Sequence, residues 1–238
     1  EDDPTTCRIT IAVSNARTRT MLERAARILM RHNASITRAH LDIVQDAPYG
    51  SVIFVGFIAQ WADHTRIDAK DPRWAPLHSE IMRLKWLDFR VVELIGRRPE
   101  FTLPQGELIS AFADLVRQML VPTDALAFSR DRVTSTMESR VAITLPILEL
   151  FTSRFDPTKP LADAEFNARA AALRTTIDAI SDSDDAREIF SAFLRAVQAV
   201  LRTNFFVADR FSFSVRLDPA LLVGPTRPEL PFGVFFVY

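Results

Sequence analysis

The apolar residues of this chain change their spacing twice, and that switch limits the architectures open to it. In Arg8-Ile9-Thr10-Ile11-Ala12-Val13 they fall at every second position, with Ile9, Ile11 and Val13 on one face, as in a half-buried strand. Over residues 105–121 the spacing becomes helical, with Leu108, Ile109, Phe112, Leu115, Val116 and Met119 on one stripe. In RFSFSVRLDP it returns to two, where Phe211, Phe213, Val215 and Leu217 alternate with Ser212, Ser214 and Arg216. No internal repeat or low-complexity tract runs through the chain. Strands, then helices, then strands imply an α+β protein built of more than one layer.

The first part resolves further. After the first strand, Ser14 or Asn15 can cap a helix whose apolar positions are Met21, Leu22, Ala25, Ile28 and Leu29. Arg17, Arg24, Arg27 and Arg31 fall largely outside that stripe, and Asn33 suits a left-handed helix end. Strands over 36–44 and 51–59 follow, with a turn at Pro48-Tyr49-Gly50. Residues 60–75 are polar and read as a long loop holding Trp61 and Trp74. Leu77, Ile81, Leu84, Lys85 and Leu87 mark a second helix. Val91, Val92, Leu94 and Ile95 fit a fourth strand or a continued helix.

The middle block reads as a helical bundle: a helix over 105–121, a stretch over 129–154 kinked or split by Pro146, and helices over 161–180 and 184–203. A Pro/Gly-rich link, residues 219–231, leads to a last apolar strand, PFGVFFVY, whose Val234, Phe235, Phe236, Val237 and Tyr238 end the chain. Two C-terminal strands do not make a stable sheet alone, so they need partners from the first sheet or from residues beyond the chain. The expected division is an α+β domain over 1–98, a helical domain over 99–204 and leading strands of a further domain over 205–238.

Composition sets the remaining bounds. Of 238 residues 48% are hydrophobic, enough for real cores, and the net charge of -1 gives no electrostatic case for nucleic acid or an anionic membrane. A single cysteine, Cys7, excludes an internal disulfide. No apolar run reaches the ~18 residues of a membrane helix, and a cytoplasmic location is expected. No metal is expected, since His32, His40, His64 and His78 lack a ligand spacing. The six glycines never approach a dinucleotide fingerprint or a phosphate loop, so no cofactor is expected in this segment. The lysines are Lys70, Lys85 and Lys159; two lie in polar turns and the third beside an apolar helix face, none placed as a poised base. The candidate binding element is the turn SNARTR, residues 14–19. There Ser14, Asn15, Arg17, Arg19 and helix N-terminal amides together suit a carboxylate effector, and a capped helix with solvated arginines is the alternative.

The opening order, strand–helix–strand–strand–helix and a possible closing strand, resembles an ACT-like (ferredoxin-like) βαββαβ sandwich, a module that often binds amino acids. More specific are the strings RITIAVSNARTRTMLERAARILMRHNASITRAHLDIV, LKWLD, AFSRDRV, LFTSRFDP, LRTNFFVADRFSFSVRLDP and PFGVFFVY. In this order and spacing they resemble the large NAD-specific glutamate dehydrogenases of bacteria, in the region preceding and just entering their catalytic domain.

That resemblance implies a non-catalytic regulatory or structural segment. The full-length enzyme would oxidatively deaminate L-glutamate to 2-oxoglutarate and ammonia, with NAD as its cofactor. The partners implied are the rest of the same polypeptide, further copies in a homo-oligomer and a possible amino-acid effector. An opening Glu1 without Met and an apolar terminal strand suit a piece of a longer chain. The competing expectation is a stand-alone ACT-like amino-acid-binding sensor. An independent enzyme is disfavoured by the missing glycine loop and poised lysine.

Overall fold

The computed structural model describes residues 5–16, 18–47, 50–207, 210, 212–223 and 234–238. The chain divides into two compact units, Glu1–Leu103 and Pro104–Tyr238.

The first unit begins with β1 (Thr6–Ser14), α1 (Thr18–Arg31), β2 (Ala34–Ala47) and β3 (Gly50–Trp61). The strands form an antiparallel sheet in the order β1-β3-β2, with Ile9 opposite Phe57 and Phe57 opposite Ala39. Alternation puts Ile9, Ile11 and Val13 with Ile53, Val55, Phe57 and Ala59 on the buried face. There they meet the apolar stripe of α1, in which Met21, Ala25, Ile28 and Leu29 are buried. Asn33 ends α1 with a φ of 59°, the left-handed turn its sequence suits. The expected turn at Pro48-Tyr49-Gly50 falls partly outside the described residues, and its Gly50 has a φ of 88°.

Two short helices complete the unit, α2 (Trp74–Met82) and α3 (Phe89–Arg97). The second of these settles an open choice: Val91, Val92, Leu94 and Ile95 are helical and do not form a fourth strand. Asp88 caps α3 by accepting from the Arg90 amide at 3.0 Å. A helix puts all four apolar residues on one face, and all are buried. A strand would have turned Val91 and Val92 to opposite sides of a sheet. The order observed is therefore βαββαα, and β1 pairs only with β3 among the described residues.

Two of the arginines outside the apolar stripe of α1 have backbone acceptors in other segments. Arg24 Nη1 donates to the Leu84 carbonyl at 3.2 Å. Arg31 donates to the Ile95 carbonyl at 3.1 Å and to the Phe101 carbonyl at 2.6 Å. The Ile95 carbonyl lies in the last turn of α3, where no intrahelical partner remains, and Leu84 and Phe101 lie in the segments that follow α2 and α3. Burial lowers the pKa of Arg24, with Asp88 opposing the shift.

The second unit holds α4 (Leu103–Leu120), α5 (Arg130–Ser139), α6 (Val141–Phe155), α7 (Asp163–Asp178) and α8 (Asp184–Ala199). The stretch expected to break at Pro146 breaks instead at Arg140, whose φ and ψ are -109° and 59°, and Pro146 lies within α6. Leu108, Phe112 and Leu115 are buried as expected, whereas Met119 is half-exposed and Leu120 takes the buried position.

The bundle core is aromatic. Phe112 meets Phe151 edge-on with ring centroids 5.3 Å apart, and Phe193 lies 5.3 Å from it on another side.

The end of the chain forms a sheet of three strands, where a pair was expected. β4 (Val200–Thr203), β5 (Ser214–Leu217) and β6 (Val234–Val237) are antiparallel in that order, with a short helix α9 (Pro219–Val223) between the last two. The third strand comes from residues that continue the helical pattern of α8 in sequence. Val200 takes extended backbone directly after Ala199, and the Asp218 amide donates to the Ala199 carbonyl at 2.7 Å. Phe213, Val215, Leu217 and Phe236 are buried, and Phe213 lies 6.0 Å from Phe112, so this sheet packs on the bundle. Phe211 lies outside the described residues.

Candidate functional site

A cleft of about 430 Å³ opens in the first unit between α2 and the edge of β1 that pairs with no strand among the described residues. Residues 9–14 of β1 form one wall; Trp74, His78, Ile81, Met82, Lys85 and Trp86 form much of the other.

β1 supplies that wall through its backbone. The Asn15 amide donates to the Ser51 carbonyl at 2.8 Å, which makes this a hydrogen-bonded pair of the antiparallel ladder. The pattern alternates, so Val13, Ile11 and Ile9 also point their main-chain groups at β3. The amides and carbonyls of Arg8, Thr10, Ala12 and Ser14 then point away from it, along the edge. A fourth strand would have used these groups.

The opposite wall is held in place by the loop before α2. Arg73 donates through Nε to Asp71 Oδ1 at 2.9 Å and through Nη2 to Asp71 Oδ2 at 2.6 Å. Its other donors reach Asp63 Oδ2 at 2.7 Å and Thr65 Oγ1 at 2.8 Å. The Arg73 hydrogen bond holds the Asp71 carboxyl at about 2, and the Thr65 hydroxyl does most to lower that of Asp63. The same ion pairs raise the Arg73 pKa. With all three groups charged, these bonds tie the loop to itself just before Trp74, the first residue of α2. Trp74 lies 5.4 Å from the His78 ring one turn on. On the far side of α2, Glu80 accepts from His32 at 3.1 Å and ties the helix to the end of α1.

Past α2, Lys85 Nζ stands 4.9 Å from the centroid of the Trp86 ring. Lys85 is the one residue with a fixed charge among those lining the cleft. Met82 and Trp86 are 66% and 56% exposed, so the rim is apolar and open to solvent. The arrangement suits a ligand that brings its own main-chain donors and acceptors to β1 and apolar side chains to α2.

The residues singled out in the turn are divided by the structure. Ser14 closes β1 and lines the cleft. Asn15 follows it in a left-handed conformation, φ 51°, with its side chain exposed and set against Gly50. Arg17 lies outside the described residues, and Arg19 is placed in the first turn of α1 by its backbone alone.

Cys7, at the other end of β1, donates its thiol to the Ile67 carbonyl at 2.8 Å. The cleft itself was not foreseen. Its signal in the sequence was Asp88 as a helix cap, which removes the closing strand.

Gly50 and Gly56 lie in β3 and Gly96 in α3. The His40 ring fills the space over Gly56, Asn15 that beside Gly50, and Gly96 stands alone in α3. Among the described residues no group of His, Cys, Asp and Glu is placed to hold a metal, and no helix is long and apolar enough to cross a membrane.

No protein-family model matches the chain. It is similar to NAD-specific glutamate dehydrogenases from three organisms. It is 32% identical over 121 residues to that of Mycobacterium tuberculosis, which covers 50% of this chain and 7% of the relative. It is 23% identical over 135 residues to that of Halomonas elongata, covering 54% of this chain and 8% of the relative. A stretch of 41 residues is 44% identical to the enzyme of Saccharomyces cerevisiae, covering 17% of this chain and 4% of the relative. The matched stretches thus span less than a tenth of each relative, and the chain is similar to a segment of large NAD-specific glutamate dehydrogenases.

Proposed function

We propose that this chain is a non-catalytic regulatory or structural segment of a cytoplasmic, homo-oligomeric NAD-dependent glutamate dehydrogenase. The full-length form would convert L-glutamate to 2-oxoglutarate and ammonia and pass hydride to NAD. One observation carries the reading: three dehydrogenases of this name match the chain, each over a small part of its own length.

Under this reading residues 1–98 are an ACT-like module, 99–204 a helical connection and 205–238 the leading strands of the catalytic domain. The βαββ start and the β1-β3-β2 order support the first assignment. The reading assigns NAD to another part of the polypeptide, since the six glycines of this sequence never approach a dinucleotide fingerprint. A segment of this kind acts by differential binding: a ligand or neighbouring subunit that prefers one arrangement of the modules shifts the population toward it. The turn of Ser14, Asn15, Arg17 and Arg19 is the proposed contact for an amino-acid carboxylate, and its Ser14 lines the cleft.

Sequencing the coding DNA on both sides of this segment tests the reading. A continuous frame with a glycine-rich dinucleotide loop downstream of Tyr238 is expected. A stop codon directly after Tyr238 would remove the dehydrogenase and leave a stand-alone module.

A further inference from the structure

We infer that the β1 edge of the first unit is a strand-addition site for an extended polypeptide segment in which apolar and acidic residues alternate. The inference concerns the sheet edge and stands apart from the dehydrogenase reading.

The backbone demands an extended chain. Four residues, Arg8, Thr10, Ala12 and Ser14, turn their amides and carbonyls outward from β1, by alternation from the Asn15–Ser51 pair. A small molecule cannot meet such a row at strand spacing, but a strand can. Edges of this kind are commonly blunted by proline, a bulge or inward-pointing charge. The register of β1 with β3 runs without a shift from Thr6 to Ser14, and no proline interrupts it.

The two faces of the added strand set its sequence. Its inward side chains would lie beside Ile9, Ile11 and Val13 and enter the cleft of about 430 Å³ against Ile81, Met82 and Trp86. Those positions call for apolar residues. Its outward side chains would lie on the open face of the sheet, next to Arg8, Thr10 and Ala12, all exposed. In register on that face, Arg8 is followed by Ile58 on β3 and Arg38 on β2. Arg8 is the one charged side chain that β1 itself places on that face, with Lys85 at the rim of the cleft, whereas Asp42 lies two strands away beyond Ala12 and Phe54; the outward position beside Arg8 therefore calls for a carboxylate. A second copy of β1, whose one charged residue is Arg8, would bring no carboxylate to that face.

The test uses the complete chain and two short acetylated peptides, one alternating Val and Glu and the other Val and Lys. Amide chemical shifts report binding residue by residue. The Val–Glu peptide is expected to shift Arg8, Thr10, Ala12 and Ser14 and to protect their amides from exchange, and the Val–Lys peptide is not. Thr10→Pro removes an outward amide without taking a bond from β3 and should weaken binding at least tenfold. The pair Arg8→Glu with Lys85→Glu should reverse the preference between the peptides while leaving the fold intact.

Absence of shifts at the β1 amides would overturn the inference. So would equal binding of both peptides, or sedimentation showing the edge covered by a second copy of the chain.

Discussion

The Tyr238 hydroxyl lies 2.7 Å from Ser110 Oγ, joining the residue after β6 to the buried side of α4. Tyr238 also exchanges backbone hydrogen bonds with Phe213, at 2.8 and 3.0 Å, so the last strand is locked to β5 and to the bundle together. Ser110 is nearly buried, and its hydroxyl needs that partner. Tyr238→Phe should therefore lower stability by about 1 kcal/mol, and Ser110→Ala by a similar amount. In a double-mutant cycle by urea unfolding the two effects should be less than additive. Full additivity would mean that the two hydroxyls do not interact.

Phe112 is the hub of the second unit, with Phe151, Phe193 and Phe213 within 6.0 Å between ring centroids. Phe112→Ala removes contacts to α6, α8 and the final sheet at once. A loss of about 3–5 kcal/mol is expected from urea unfolding followed by near-ultraviolet circular dichroism. An unchanged midpoint would place α4 outside the core.

Arg31 holds two carbonyls, those of Ile95 and Phe101, with its guanidinium. Arg31→Met keeps the aliphatic stem and removes the donors. It should destabilise the first unit by about 1–3 kcal/mol, and Arg31→Lys should recover only part, since one ammonium does not reproduce the planar fork. Hydrogen exchange of the α3 amides reads the effect locally.

Asp71 should titrate near 2, because the Arg73 hydrogen bond favours its ionised form. A carboxyl lowered on folding stabilises the folded state fully above its unfolded value, about 3.9. That contribution is lost as the pH falls through the folded value. Asp71→Asn should thus narrow the stability gap to wild type progressively below about pH 4. The side-chain carbon shift of Asp71 gives the midpoint directly. A midpoint at the ordinary aspartate value would mean that Arg73 does not hold the loop.

Much of the fold was legible where periodicity and burial agree. The alternation of Ile9, Ile11 and Val13 gave β1, and the stripe of Leu108, Phe112 and Leu115 gave α4, because each element buries one face. Short apolar runs were less informative. Val91 to Ile95 fits either state in sequence, and only the Asp88 cap and burial of all four apolar residues decide for helix. Val200–Thr203 extends the pattern of α8, and its strand state depends on pairing with Leu217, Arg216 and Val215. The acceptors of Arg24 and Arg31 lie 60 to 70 residues away, beyond what a helical wheel can show. The cleft lies where β1 has no second partner strand among the described residues. Ser14 was singled out for its place before a helix, and it lines a cleft because β1 is an edge.

The central claim is that this segment supports, without performing, glutamate oxidation. Absorbance of NADH, followed with glutamate and NAD for both the complete gene product and the isolated chain, tests it most directly. The account predicts glutamate-dependent NADH formation by the complete gene product and none above buffer by residues 1–238. Turnover by the isolated chain that is abolished by Lys85→Ala, or none by the complete gene product, would contradict it.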